Sequence, residues 1–412
     1  MKIMFAVPHY WPSQDGVTQI TKYLAEGLAE RGHEVLVYTG VRDGGLEKLS
    51  ECDSHKGVSI ERTRVYVRWP LKIKGRDQNS TKEKYYERIC SFRPDALIVV
   101  CAQTWTLDWI MPYLDRIRCI KIFYSHGYSM WKAEYPIWDK LKNRNILGVY
   151  EQWSAKRYFN RLHYILKKFD LNIYLSELNN SYLYAEEYGL SNGAVLENAV
   201  EDVFFTDAMK HSQSSFQRPN IQYLYVANYN DNKNQDMLLK AFCDADIEYA
   251  TLQFVGFEGN DYLDMLKEHL SQWLPENSSK KVVFNVHLSR EEVCELYRSS
   301  DVFVCTSRSE NCPVVHCEAA VTGMAVISTD VGDVRLKDGV ILVESVEQLK
   351  EAMESLYLDR EELRRRGEKL RKYMLSRNCR VEDKIDWLEA ELKYLTAERG
   401  NGQRLIPKKN SQ

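Results

Sequence analysis

The chain has 412 residues, a formal net charge of -3 and 44% apolar side chains, which argues against a disordered chain and against nucleic acid as a bulk partner. That length exceeds one ordinary core and predicts two or more domains. No run approaches the roughly 18 apolar residues of a spanning helix. None of the ten cysteines forms Cys-x-x-Cys, and the chain opens on strand-like residues rather than a cleavable leader, so reduced thiols and a cytoplasmic setting are expected.

In chain order, the first strand reads Lys2–Val7, followed by a loop to Gly16 and a helix with Val17, Ile20, Leu24 and Leu28 at helical spacing, ending at Gly32. Gly16 either lets the backbone approach a ligand closely or is an ordinary turn residue. Further strands are predicted at 34–39, 96–101, 119–124, 171–175 and 194–196, while 48–93 shows no clear pattern. Tyr124-Ser125-His126-Gly127 ends a strand, where ligands gather in α/β sheets. His126 is therefore a candidate functional residue, against the alternative of a hydrogen-bonded surface histidine. Trp105, Trp109, Trp131 and Tyr135 read mainly as core, with a sugar-stacking platform as the other reading. From Lys140 to Lys168, basic residues interleave with Trp153, Tyr158, Phe159 and Tyr164. This pattern suits a charged helix face with core contacts or, alternatively, docking on an anionic membrane.

Past a polar stretch at Lys210–Pro219, strands are predicted at 222–227, 251–255, 282–286, 301–305, 325–328 and 340–343, alternating with helices at 236–244, 262–273, 290–299 and 313–322. The alternation predicts α/β architecture with parallel sheets. Lys233 lies in the loop after the first of these strands, ahead of a helix N-terminus, and suits a phosphate. Asp244-Ala245-Asp246 sits at a helix-to-strand connection and reads as a turn. After Ser345 the chain becomes helical and charged; a last helix near 382–398 carries Ile385, Leu388, Leu392 and Leu395 on one stripe.

The densest information lies in Ser309-Glu310-Asn311-Cys312-Pro313-Val314-Val315-His316-Cys317-Glu318-Ala319-Ala320. Pro313 is expected at the first helical position, with Gly323 as the left-handed cap. A free helix N-terminus suits a diphosphate. Glu310 before it and Glu318 within it accept hydrogen bonds from hydroxyl-rich ligands.

This stretch resembles the glutamate-x7-glutamate motif of retaining GT-B-fold glycosyltransferases, the family called glycosyl transferases group 1. The resemblance implies two Rossmann-like doubly wound domains facing a central cleft. It assigns 1–200 to the acceptor, 201–378 to the nucleotide sugar, 379–399 to a helix crossing back to the first domain, and 400–412 to a tail. It implies transfer of a sugar from a nucleotide diphosphate to a saccharide or lipid-linked acceptor, commonly in polysaccharide or glycoconjugate assembly, with no metal and no bound cofactor. Glu310 would contact the donor sugar, Glu318 the ribose, His126 the reaction centre, and Asn311, Cys312, Pro313 and Val314 the leaving diphosphate. Gly16 retains only the second residue of the family's usual glycine pair. Lys233 matches the family's lysine, but Asn228 stands where an arginine is usual and brings no charge; Arg308 is the candidate substitute. A nucleotide-sugar epimerase of the same fold and a non-catalytic sugar-binding relative are the alternatives.

Overall fold

The computed structural model describes residues 1–13, 15–41, 49–65, 78–129, 131, 146–205 and 220–400. Tyr135, residues 140–145, the Lys210–Pro219 stretch and the tail past Gly400 lie outside the described residues. The chain divides into two compact units, one formed by Met1–Glu197 with the C-terminal helix from Glu382, the other by Asn198–Val381.

The first unit is built on β1 (Lys2–Val7), a strand buried along nearly its whole length. Around it lie β2 (Glu34–Val41), β3 (Cys52–His55), β4 (Val58–Arg64), β5 (Ala96–Val100), β6 (Ile120–Tyr124), β7 (Leu171–Tyr174) and β8 (Gly193–Val195). The sheet order is β3-β4-β2-β1-β5-β6-β7-β8. Every described pairing in it is parallel except β3 with β4. A parallel sheet covered on both faces requires continuous apolar strands, which is why β1, β5 and β6 are so plain in the sequence. The β3–β4 hairpin turns through Lys56 and Gly57, both at positive φ, as a tight two-residue turn requires. Helices α1 (Gly16–Glu30), α2 (Gln78–Phe92), α3 (Trp105–Asp108), α4 (Ile146–Leu166) and α5 (Asn180–Glu187) connect the strands. Trp105 and Trp109 are core residues, and Trp131 packs against that core. The platform reading therefore does not apply to Trp105 and Trp109.

The second unit contains β9 (Ile221–Val226), α6 (Gln235–Asp244), β10 (Ala250–Gly256), α7 (Asp261–Trp273), β11 (Lys281–Val286), α8 (Arg290–Ser299), β12 (Val302–Cys305), α9 (Val314–Val321), β13 (Ala325–Ser328), β14 (Ile341–Leu342), α10 (Val346–Leu358) and α11 (Arg360–Leu375). Its six-stranded sheet is ordered β11-β10-β9-β12-β13-β14 with parallel pairings. The order runs outward one way from β9, then resumes on its other side at β12. That reversal is the topological switch point at which doubly wound sheets hold ligands. The first sheet has the same switch between β1 and β5. Asp244 and Asp246 lie at the connection into β10, at its amino end, as a turn should.

Helix α9 begins one residue later than the sequence suggests. Pro313 is its N-cap, with extended backbone at φ -71° and ψ 117°, because its ring fixes φ without requiring helical ψ. Gly323 adopts φ +85° and closes the helix as expected. A Cβ built on Gly367 of α11 would lie 2.0 Å from the Gly323 carbonyl oxygen, so two backbones meet where only glycine fits. Gly367→Ala should destabilise the second unit by about 2 kcal/mol or more through overpacking, despite alanine's better helix propensity. Urea unfolding checks this; an unchanged or raised midpoint contradicts it.

The last helix, α12 (Val381–Gly400), buries Ile385, Leu388, Leu392 and Leu395. Gly27 of α1 leaves room for Ile385, whose Cδ1 would lie 2.2 Å from a Cβ there. Arg31 pairs with Glu382, with Asp386 at 2.6 Å and with Glu389 at 2.9 Å. The helix is thus anchored on the first unit by apolar packing and a three-carboxylate clamp. Among the described residues no helix is long and apolar enough to cross a membrane.

Candidate functional site

At the switch point of the second sheet, the loop after β9 (227–234) and the loop after β12 (306–313) are stitched together. The Arg308 amide donates to the Asn232 carbonyl at 2.7 Å, and Asn232 Nδ2 donates to the Ser309 carbonyl at 3.0 Å. Thr306 Oγ1 donates to the Asn234 carbonyl at 2.8 Å, and the buried Tyr225 hydroxyl donates to the Lys233 carbonyl at 2.7 Å. These bonds fix Lys233 and Glu310, 77 positions apart, so that their side chains form an ion pair. The cation suited to phosphate and the carboxylate suited to sugar hydroxyls therefore neutralise one another. Just beyond them, α9 starts without any side-chain cap, leaving its first-turn amides and dipole open to an anion. Asn311, Cys312, Pro313 and Val314 form this entry.

Asn228 does not take the place of a cation. Its Oδ1 accepts from the Phe257 amide at 3.2 Å, and its carbonyl accepts from Gln235 Nε2 at 3.0 Å. It braces the loop after β10 instead. Arg308 Nη2 reaches Asn234 Oδ1 at 3.4 Å, which places a guanidinium on the stitched loops beside Lys233.

Glu318 is almost fully buried, its side chain 3% exposed, and one oxygen pairs with Arg290. Arg290 also holds Glu201 at 2.8 Å and stacks over Phe204 at 4.7 Å. The second carboxylate oxygen, Oε2, is buried and makes no close hydrogen bond, while the buried Tyr297 hydroxyl lies beside this carboxylate. Arg290 was not singled out in the sequence. The signal for it is the capping box of Ser289 and Glu292, which places residue 290 at a helix start beyond the carboxyl end of β11.

Beneath the entry of α9 lies a buried polar layer. Cys312 Sγ donates to Asp333 Oδ2 at 3.3 Å, and Lys337 pairs with Asp333 at 2.5 Å. Burial, reinforced by Asp333, holds the Cys312 thiol well above its ordinary range, so it is a structural donor and no nucleophile. Asn198 Nδ2 donates to the Cys312 carbonyl at 2.6 Å. Gly332, at φ +60°, has its backbone against Asn311, whose oxygen would lie 2.8 Å from a Cβ there. His316 bonds Ser328 Oγ at 3.3 Å, and burial, with help from Lys337 and Lys233, pushes it down to about 3.

An unfolded histidine titrates near pH 6.5, so below that value the unfolded chain binds a proton that buried His316 refuses. Stability should therefore fall as pH drops from about 6.5 toward the folded value, this group contributing a slope of up to about 1.4 kcal/mol per pH unit. Denaturant midpoints measured across that range should fall less steeply for His316→Asn than for the wild type. Equal slopes would contradict this reading.

In the first unit the loops after β1, β5 and β6 end at that sheet's own switch point. Asp15 caps α1, accepting from the Thr18 amide at 2.9 Å, from Thr18 Oγ1 at 2.8 Å and from Ser13 Oγ at 2.7 Å. Burial works against the charge, but the bonds from Thr18 and Ser13 prevail and hold its carboxyl below the usual range. The N-terminus of α1 is thus already filled by an anion, in contrast to that of α9. Gly16 has open space around its α-carbon, but beside a carboxylate rather than the family's first glycine. His126 follows β6, and burial pushes it down to about 4, Asp15 acting in the opposite sense. It is therefore neutral at ordinary pH. Cys101, at φ +66°, is pushed up to about 12 by burial and by Asp15.

Residues 208–373 match the family model described as glycosyl transferases group 1. A comparison with curated proteins returns no match. Among solved structures, the sucrose-phosphate synthase of Thermosynechococcus elongatus is similar at a TM-score of 0.72 and 15% identity, covering 96% of this chain and 99% of its own. Anabaena HepE, in complex with UDP and glucose, is similar at 0.67 and 16%, covering 96% and 100%. The α,α-trehalose 6-phosphate synthase of Burkholderia multivorans is similar at 0.67 and 12%, covering 99% of each chain. At such identities the likeness is one of fold, and that fold is GT-B.

Proposed function

We propose that this chain, whose residues 208–373 match the glycosyl transferases group 1 model within a GT-B fold, is a glycosyltransferase of that group that moves a sugar, with retention, from a nucleotide diphosphate to a saccharide or lipid-linked acceptor. The observation that carries this reading is the convergence of Lys233, Glu310, the uncapped start of α9 and the buried Glu318 carboxylate at one switch point. Lys233 leaves Glu310 for the β-phosphate, and the amides of α9 take further phosphate oxygens, so charge developing on the leaving diphosphate meets prearranged donors. No metal or bound cofactor is assigned a part. Glu310, released, accepts hydroxyl hydrogens of the donor sugar. Glu318 takes the ribose through Oε2 while Arg290 holds Oε1. The first unit supplies the acceptor side, where neutral His126 serves as a hydrogen-bonding group at the reaction centre rather than as an acid. A UDP-sugar is the first donor to try, since HepE binds UDP and glucose. Assembly of a cell-surface polysaccharide or glycoconjugate is the setting this reading favours.

Incubation with UDP-, GDP- and ADP-sugars and candidate acceptors tests it. Acceptor-dependent nucleotide release, with the donor's anomeric configuration kept in the product, is expected. Sugar interconversion without release would make the protein an epimerase, and binding without turnover a non-catalytic relative.

A further inference from the structure

At the amino ends of β5, β6 and β7, one strand length (about 17 Å) from His126, the first unit carries a cavity of ≈ 450 Å³. Arg93, Arg116, Arg118 and Arg399 line it, over a floor that includes Ile89 and Ile117. A second cavity, of ≈ 970 Å³, shares Arg118 and Arg399 and adds Lys121, Lys167 and Lys168.

The carboxylates lining these cavities are already engaged. Asp95 accepts from the Lys2 amide at 2.7 Å, Asp170 from the Lys121 amide at 2.7 Å, and Asp115 pairs with Lys168 at 2.5 Å. Among the described residues the guanidiniums of Arg93, Arg116, Arg118 and Arg399 make no side-chain hydrogen bond or ion pair. Arg31, Arg88, Arg290 and Arg380 all find carboxylates elsewhere. Lys121 is 8% exposed, and its ammonium donates to the Ile117 carbonyl at 3.5 Å. Four exposed guanidiniums without side-chain partners, with the Lys121 ammonium near them, give these cavities a positive lining that suits an anion.

We propose that these adjoining cavities form a second binding site, distinct from the transfer site, for a phosphate-bearing ligand. Guanidiniums grip phosphate oxygens in bidentate fashion, and the apolar floor suits the ligand's carbon frame. The phosphate comes from a small soluble molecule or from a phospholipid headgroup, and these two sources are separable.

The experiment uses the full chain carrying Lys233→Ala, which removes the phosphate cation of the transfer site. Calorimetric titration with pyrophosphate and co-sedimentation with vesicles of phosphatidylglycerol and phosphatidylcholine are each compared with and without Arg116→Gln plus Arg118→Gln. Because these arginines are exposed, the double variant should melt like its parent. At least one probe should bind, and the double variant should weaken it about tenfold or more. Pyrophosphate binding alone marks a soluble ligand, vesicle binding alone a headgroup, and both together the shared phosphate chemistry. Binding of neither probe, or binding indifferent to the double substitution, overturns the proposal.

Discussion

Lys233→Ala should lower kcat/KM for sugar transfer by about 100-fold or more, and Glu310→Gln by a similar factor. Each removes a group held ready for the donor by the stitched loops after β9 and β12. A hundredfold corresponds to about 2.7 kcal/mol, the scale of losing one prearranged charge-stabilising donor. The two should differ in kind. Lys233→Ala loses the cation on the leaving diphosphate and acts on kcat. Glu310→Gln also frees Lys233 from its resting partner, so nucleoside diphosphate alone should bind no more weakly than to the wild type. Initial-rate kinetics with the donor found above, together with titration of the free nucleotide, checks both. Wild-type turnover in either variant removes that residue from the site.

Arg290→Ala should be damaging in a second way, through stability and donor binding together. It strips the only ion-pair partner described for Glu318, whose side chain is 3% exposed. Breaking a fully buried pair costs about 3–5 kcal/mol, but Arg290 is 41% exposed, so screening reduces the expectation to about 1–3 kcal/mol. Glu318→Gln removes the uncompensated charge and should cost less stability while still weakening the nucleotide. A double-mutant cycle separates the effects: Arg290→Ala added to Glu318→Gln should destabilise less than Arg290→Ala alone. Strict additivity would show that the ion pair does not carry the effect.

The parts of this fold that were legible were those whose physics is local. Buried parallel strands such as Ile3–Val7 and Ala96–Val100 announce themselves as apolar runs, and α9 is bracketed by Pro313 and Gly323. Glu310 and Glu318 stood out because proline, glycine and flanking strands fix their frame within a few residues. The β3–β4 hairpin was missed because Val58–Arg64 has apolar residues only at 58 and 60, and the edge strand Cys52–His55 is short and polar. Helix α2 was missed because among its described side chains few beyond Tyr85 and Ile89 face the core. The Lys233–Glu310 and Arg290–Glu318 pairs were invisible for another reason. Their members lie 77 and 28 positions apart, and only the sheet order brings them together. Asp15 shows the converse: the departure from a glycine pair was plain, but its consequence, a carboxylate seated on the start of α1, required the capping geometry.

The central claim is that the diphosphate of an activated sugar sits on the open start of α9 and not on the filled start of α1. A crystal structure of the chain with its nucleotide-sugar donor addresses this directly. The diphosphate should lie against the amides after Pro313, with Lys233 swung from Glu310 onto a phosphate oxygen and the ribose beside Glu318. A nucleotide bound beside Gly16 and Asp15, with the Lys233–Glu310 pair intact, would refute it.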